Sequence, residues 1–274
     1  MSQRRTIDTS GAIAYRAPMS VTRLAILSLI ASSTWSSVSR ADDSDAASGT
    51  PIAARASADD DVFTPGLTHA AGHGRGAAVG VVSFSGASDK TTLDLNGEVQ
   101  VFGPVRLVLR VDNVTDTARP GIGAAVQFLD EAKHGAAASA YFTYKAEGFT
   151  EPEGELEGMV AFGKQLGPVR GTLNLAYGQD PEGNERDGEV ALGLHVEPLR
   201  GLFTGVIGRY RDALGSNGDK STGILRDVLG GASATFVVGR FGVTAMAGFS
   251  GVETVTSGSM QTGAAAALAV GAVF

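Results

Sequence analysis

The chain of 274 residues has no cysteine, one tryptophan and no apolar run near the ~20 residues that a membrane-spanning helix needs. Without cysteine there are no disulfides, no thiolate metal site and no cysteine nucleophile, although the compartment stays open because many exported proteins also contain none. A basic surplus is missing too: 22 Lys and Arg stand against 29 Asp and Glu, a formal net charge of −7 with an isoelectric point near 5.1. Binding nucleic acid requires cations that neutralise phosphates, so no nucleic-acid partner is expected. Aromatic residues make up 7% and charged residues 19%, whereas 43% of the chain is apolar and 38 residues are glycine. The length suits one large domain or two small ones.

What is present begins at the amino terminus. Leu24 to Ala31 (LAILSLIA) follows Arg16 and Arg23 and precedes a polar run that ends Ser39-Arg40-Ala41. A basic region, a short apolar core and a small-x-small exit describe a secretory signal peptide over residues 1–41, with cleavage expected before Asp42 and Met19 as an alternative start. The apolar core is too short for a membrane anchor. Its removal would leave 17 basic and 28 acidic residues, a net charge of −11, and would take the tryptophan, Trp35, with it. Residues 42–75 are rich in Ala, Ser, Asp, Gly and Thr, with acidic clusters at Asp42, Asp43 and Asp45 and at Asp59, Asp60 and Asp61. Such a segment buries too little apolar surface to offset its ordering entropy and reads as a disordered linker. The lesser alternative is that residues 42–61 enter the interior of the following domain as a plug.

From Gly76 the apolar period becomes two. Leu93, Leu95, Gly97, Val99 and Val101 alternate with Asp94, Asn96, Glu98 and Gln100, and the same pattern recurs at 105–112, 169–177 and 189–197. Twelve such windows start near residues 76, 91, 105, 121, 136, 155, 169, 188, 200, 227, 241 and 263, and ten strands is the alternative count. The connections alternate in kind. Tight ones are Phe102-Gly103-Pro104, Lys133-His134-Gly135, Leu166-Gly167-Pro168, Glu197-Pro198 and Gly239-Arg240; longer polar ones are 87–90, 113–120, 147–153, 179–187, 212–222 and 253–262. Short turns on one side and long loops on the other, over strands of about ten residues, form the pattern of an all-β, antiparallel, up-and-down transmembrane β-barrel over residues 76–274. The turn around Gly103 recurs at Gly167 and, with Glu197-Pro198-Leu199-Arg200, a third time, each with an Arg following the Pro. If Val101 opposes Val105, Gln100 opposes Arg106 on the polar face; Val238 and Phe241 fit a two-residue hairpin.

A soluble sandwich would alternate similarly, so the final strand matters. Ala264, Ala266, Leu268, Val270, Ala272 and Phe274 form an apolar face that ends on a terminal aromatic. In this ending, together with the leader and the hairpin pattern, the sequence resembles Gram-negative outer-membrane β-barrel proteins, whose last strand typically ends in an aromatic residue read by the insertion machinery. The resemblance implies an outer-membrane location, with membrane lipid as a partner and the insertion machinery as another through Phe274. It spans residues 76–274 as a pattern and carries no family-specific motif. Aromatics near strand ends, namely Tyr141, Phe142, Tyr144, Phe162, Tyr177, Tyr210, Phe236, Phe241, Phe249 and Phe274, supply a thin interfacial girdle.

With apolar residues toward lipid, the polar set faces inward: Asp94, Glu98, Arg106, Arg110, Asp112, Glu155, Glu157, Arg170, Glu189, His195 and Arg209 are the pore-lining candidates. They either bias a passage, as charged rings do, or pair and fill the interior as a salt-bridged network. Glu98 lies within diagonal reach of Arg106 and Arg110. No enzyme, cofactor or metal is expected. His69 and His73 lie in a segment without helix signals, His134 in a turn, and no Gly-x-Ser-x-Gly elbow provides a nucleophile for His195. The leading expectation is a narrow passive channel, porin-like, for small solutes. The alternatives are a closed structural or adhesive barrel acting through its long acidic loops, such as 179–187, and a soluble secreted β-protein.

Overall fold

The computed structural model describes residues 76–149, 153–181, 185–214 and 223–274; the expected leader and linker, residues 1–75, lie outside them. Twelve strands follow one another: β1 (Gly76–Ser85), β2 (Lys90–Phe102), β3 (Val105–Asp112), β4 (Arg119–Leu129), β5 (Ala137–Ala146), β6 (Gly154–Leu166), β7 (Val169–Gln179), β8 (Arg186–Leu199), β9 (Leu202–Ala213), β10 (Ile224–Val238), β11 (Phe241–Thr254) and β12 (Met260–Val273). Each pairs antiparallel with its sequence neighbours, and β12 pairs with β1 to close the barrel. Closure leaves no strand edge, which is what a sheet in lipid requires, since nothing there hydrogen-bonds an unpaired backbone group. The ten-strand alternative falls, and every strand begins within three residues of its expected start.

Three connections differ from expectation, each for a local reason. Gly103 adopts φ 50°, so Gly103-Pro104 closes a two-residue turn in which Phe102, not Val101, faces Val105. Val101 becomes the extra residue of a bulge, and Gln100 still faces Arg106. Between β8 and β9 the turn is Arg200-Gly201, with Gly201 at φ 77° and Leu199 facing Leu202. Glu197-Pro198 instead fills a bulge inside β8, where the missing proline N–H removes no ladder bond, so Arg200 lies in the turn rather than in the next strand. Lys133-His134-Gly135, expected as a tight turn, belongs instead to a single helical turn α1 (Glu131–His134) and its cap, with the Asp130 carboxylate accepting from Ala132 N at 3.0 Å and Gly135 at φ 71°. The first polar connection, expected at 87–90, is the four-residue turn 86–89.

The outward face is apolar and exposed: Leu109, Ile122, Leu175, Leu192, Val206, Leu268 and Val270 are among its residues. Aromatics rim it at two levels. Phe84, Tyr144, Tyr177, Tyr210 and Phe249 lie toward the long loops, and Phe102, Phe128, Phe162, Phe236, Phe241 and Phe274 toward the short turns. Along β11 the eight residue steps from Phe241 to Phe249 span about 26 Å, or about 20 Å after a tilt of ~40°, close to the height of an outer-membrane apolar band. Tyr141 does not belong to this girdle. It shares the inward parity of Ser139 and Thr143 and is 4% exposed, because adjacent residues of one strand cannot both face lipid.

Candidate functional site

The inward positions of the barrel carry its chemistry. All eleven candidates face inward: Asp94 and Glu98 on β2, Arg106, Arg110 and Asp112 on β3, Glu155 and Glu157 on β6, Arg170 on β7, Glu189 and His195 on β8, and Arg209 on β9. They fall into two groups by height.

Toward the long loops the charges interlock. Arg110 donates from Nε and Nη2 to both Asp112 oxygens, at 3.1 and 2.7 Å, and from Nη1 to Glu157 Oε1 at 2.7 Å, linking β3 to β6. Arg209 Nη2 donates to Asp227 Oδ2 at 2.7 Å with Glu189 farther off, at 3.9 Å from Nε. Arg211 grips Asp187, with Nε at 2.7 Å, and Lys145 Nζ lies 2.7 Å from Glu155. The Asp94 carboxylate accepts from the backbone of Asn113 at 2.8 Å, pinning the start of the loop after β3. A fork of two parallel N–H donors on one carboxylate, as Arg110 makes to Asp112, holds its geometry better than a single contact.

Toward the short turns the arrangement is different. Arg106 Nη2 donates to Ser139 Oγ at 3.1 Å and to the Tyr141 hydroxyl at 3.2 Å, lies 5.7 Å from the centre of that ring, and has Glu98 at 3.4 Å. Glu98 thus lies against Arg106, whereas each of the three guanidinium nitrogens of Arg110 donates to a carboxylate nearer the loops. Arg170 Nη1 donates to Glu131 Oε2 at 2.8 Å, and the other Glu131 oxygen accepts from Gln165 N at 2.9 Å, so α1 is tied to the barrel mouth. His195 Nε2 is 3.2 Å from Ser233 Oγ. That serine was not foreseen beside the imidazole. Among the described residues no carboxylate hydrogen-bonds His195, so the pair lacks the third group that orients a catalytic base.

Between the two levels the inward side chains include Val108, Met159, Ile207 and Met246, all nearly buried. The interior is also uneven around its circumference. Charges occupy the arc from β2 to β9 with Asp227 at its edge, whereas the inward positions of β11, β12 and β1 hold Gly, Ala, Ser, Thr, Val, Gln261 and Met246. Sequence reasoning missed Lys145, Asp187, Arg211, Asp227 and Glu131. Asp187 and Arg211 continue the alternation of Glu189 and Arg209 by two residues, a signal obscured by strands that run farther into the loops than their apolar faces.

No protein-family model matches the sequence, and no curated protein matches it. Among solved structures, the NanC porin superimposes with a TM-score of 0.50 at 7% identity, over 72% of this chain and 98% of that one. The KdgM porin gives 0.48 at 7% identity, over 72% and 99%, and the translocator domain of the autotransporter NalP from Neisseria meningitidis gives 0.42 at 11%, over 78% and 93%. Likeness at such identities concerns fold. Closed strand order, apolar exterior and paired aromatic levels define the class to which this chain belongs, the transmembrane β-barrel of the outer-membrane type.

Proposed function

We propose that the chain is a narrow, passive, non-enzymatic channel for small solutes in a bacterial outer membrane, exported by its leader and handed to the insertion machinery through the strand that ends at Phe274. The observation that carries this reading is the charged arc inside a twelve-stranded barrel. Eight strands leave an interior that side chains fill, whereas twelve strands ~4.8 Å apart and tilted ~40° set opposite backbones about 24 Å apart. The candidate residues line that passage. Because each loop-side base lies against acids, local fields partly cancel, and what remains is a small acid excess: Asp94, Asp112, Glu155, Glu157, Asp187, Glu189 and Asp227 against Arg110, Arg119, Lys145, Arg209 and Arg211.

The excess predicts weak cation preference. In a potassium chloride gradient across a planar bilayer, the reversal potential is expected on the cation side and to move toward zero in the Asp94→Asn, Glu189→Gln double variant, since these are the acids with the weakest cationic partners. Anion-selective reversal potentials would contradict the reading.

A further inference from the structure

From β2 to β9, every strand except β7 brings a charged inward residue to the loop-side level. The inward residues of β7 at that level are Ala176 and Gly178. This strand runs between two that each bring two acids, Glu155 and Glu157 on β6 and Asp187 and Glu189 on β8, and Gly178 faces Glu157 across one ladder and Asp187 across the other. The bases that hold Glu155 and Asp187 stand on the far sides, Lys145 on β5 and Arg211 on β9. Each of these carboxylates gives one oxygen to its base and lays the other over the glycine. Lys145 Nζ is 2.7 Å from Glu155 Oε2, and Arg211 Nε donates to Asp187 Oδ2 at 2.7 Å. A Cβ on Gly178 would overlap Glu155 Oε1 and lie 2.7 Å from Asp187 Oδ1 and 2.9 Å from Glu155 Cδ. The atoms it would meet first are thus all carboxyl atoms. At the inward Gly205, Gly231 and Gly248, by contrast, a Cβ would first meet a backbone carbonyl of the neighbouring strand, so those glycines serve the sheet. Gly178 serves the side chains. It is an ordinary strand residue without the positive φ of the turn glycines, so its own backbone does not ask for glycine. A glycine inside a strand weakens it, and its presence there marks a place that another group approaches closely.

We propose that Gly178 determines the width and the charge selectivity of the loop-side passage, by giving the Glu155 and Asp187 carboxylates a recess in the wall. The inference rests on the channel reading and names the residue that tunes it. A fixed charge acts on a passing ion according to its distance from the ion's path and from its own counter-charge. In the recess both carboxylates lie along the wall beside Lys145 and Arg211, so each acid is largely offset by its base and the middle of the passage stays clear. A methyl group at 178 would take the place of the two oxygens. Glu155 and Asp187 would turn off the wall toward the axis, ahead of the bases that hold them, which narrows the passage and makes its inner surface more acidic. The displaced atoms are the far ends of flexible side chains, so the strands need not move.

Gly178→Ala, in residues 42–274 refolded in detergent and inserted into planar bilayers, is expected to raise the cation-to-anion permeability ratio about twofold and to lower the unit conductance. The double variant Gly178→Ala, Glu155→Asp keeps the charge, shortens the acid by one methylene and should return both quantities toward the parent, a repair that a general defect of the barrel would not show. An unchanged or lower ratio in Gly178→Ala overturns the proposal, as does a shift that the shorter acid leaves in place. Folding of each chain is checked by gel migration before and after heating. If neither variant folds, the glycine serves the backbone and the proposal falls as well. The cysteine-free chain allows a readout without current. Ala176→Cys, half-buried on the same strand, is labelled with a cationic and an anionic methanethiosulfonate of similar size. Adding Gly178→Ala should raise the ratio of cationic to anionic labelling rates about twofold, and equal ratios in the two chains overturn the proposal. A folded barrel that passes no current would therefore sink the channel reading, while the labelling still decides where the carboxylates stand.

Discussion

Replacing Arg110 with Met is expected to lower the stability of the refolded barrel by about 3–5 kcal/mol and to raise its cation selectivity several-fold. Breaking a buried pair by removing one partner leaves the other charge uncompensated, the origin of that magnitude. Here one guanidinium serves two carboxylates: it is 8% exposed, with Asp112 at 20% and Glu157 at 16%. That residual exposure lets water soften the penalty, so the lower end of the range is the figure to test. The check is the midpoint of denaturant unfolding in detergent micelles, read by circular dichroism, together with the reversal potential of any refolded protein. The triple variant Arg110→Met, Asp112→Asn, Glu157→Gln should recover much of the lost stability, because replacing a whole buried ionic group by neutral residues is often nearly neutral. A single variant as stable as the parent would mean that the three-way contact contributes nothing to the barrel.

The second large effect concerns the other face. Leu268 points outward at mid-height on β12, between Ala245 of β11 and Val82 of β1, and is 48% exposed. If lipid surrounds it, Leu268→Arg costs about 2–4 kcal/mol, while Thr262→Arg on the same outward row, beyond the level of Phe249 and Ala264, costs about 0–1 kcal/mol. Reversible unfolding in vesicles measures both. Equal costs at the two depths would remove lipid from the account of this surface, whereas a gradient separates a bilayer from water, where both arginines would be tolerated.

Much of this was legible in the residues because a barrel repeats one rule: each strand needs an apolar row with period two, and each turn a residue that accepts its dihedral angles. The hairpin of Val238 and Phe241 follows from Gly239 alone. Legibility ended where structure depends on shifts of one residue or on distance across the sheet. The bulges at Val101 and at Glu197-Pro198 absorb a residue that the flanking alternation does not reveal. Tyr141 sat in an aromatic run whose two parities cannot share a face. The link from Arg110 to Glu157 joins β3 to β6, and the approach of His195 to Ser233 joins β8 to β10; both depend on curvature, which no window of sequence carries. The neutral wall of β11, β12 and β1 was written in the alanines of the last strand, but abundant small residues on both parities hid which side faced inward.

Single-channel recording in a planar bilayer, with residues 42–274 refolded in detergent and shown by circular dichroism to be mainly β, tests the central claim most directly. The account predicts discrete, reproducible current steps, small for a barrel of twelve strands because the charged side chains of the arc narrow the passage. A folded barrel that inserts and passes no current would contradict it and move the function to the long loops.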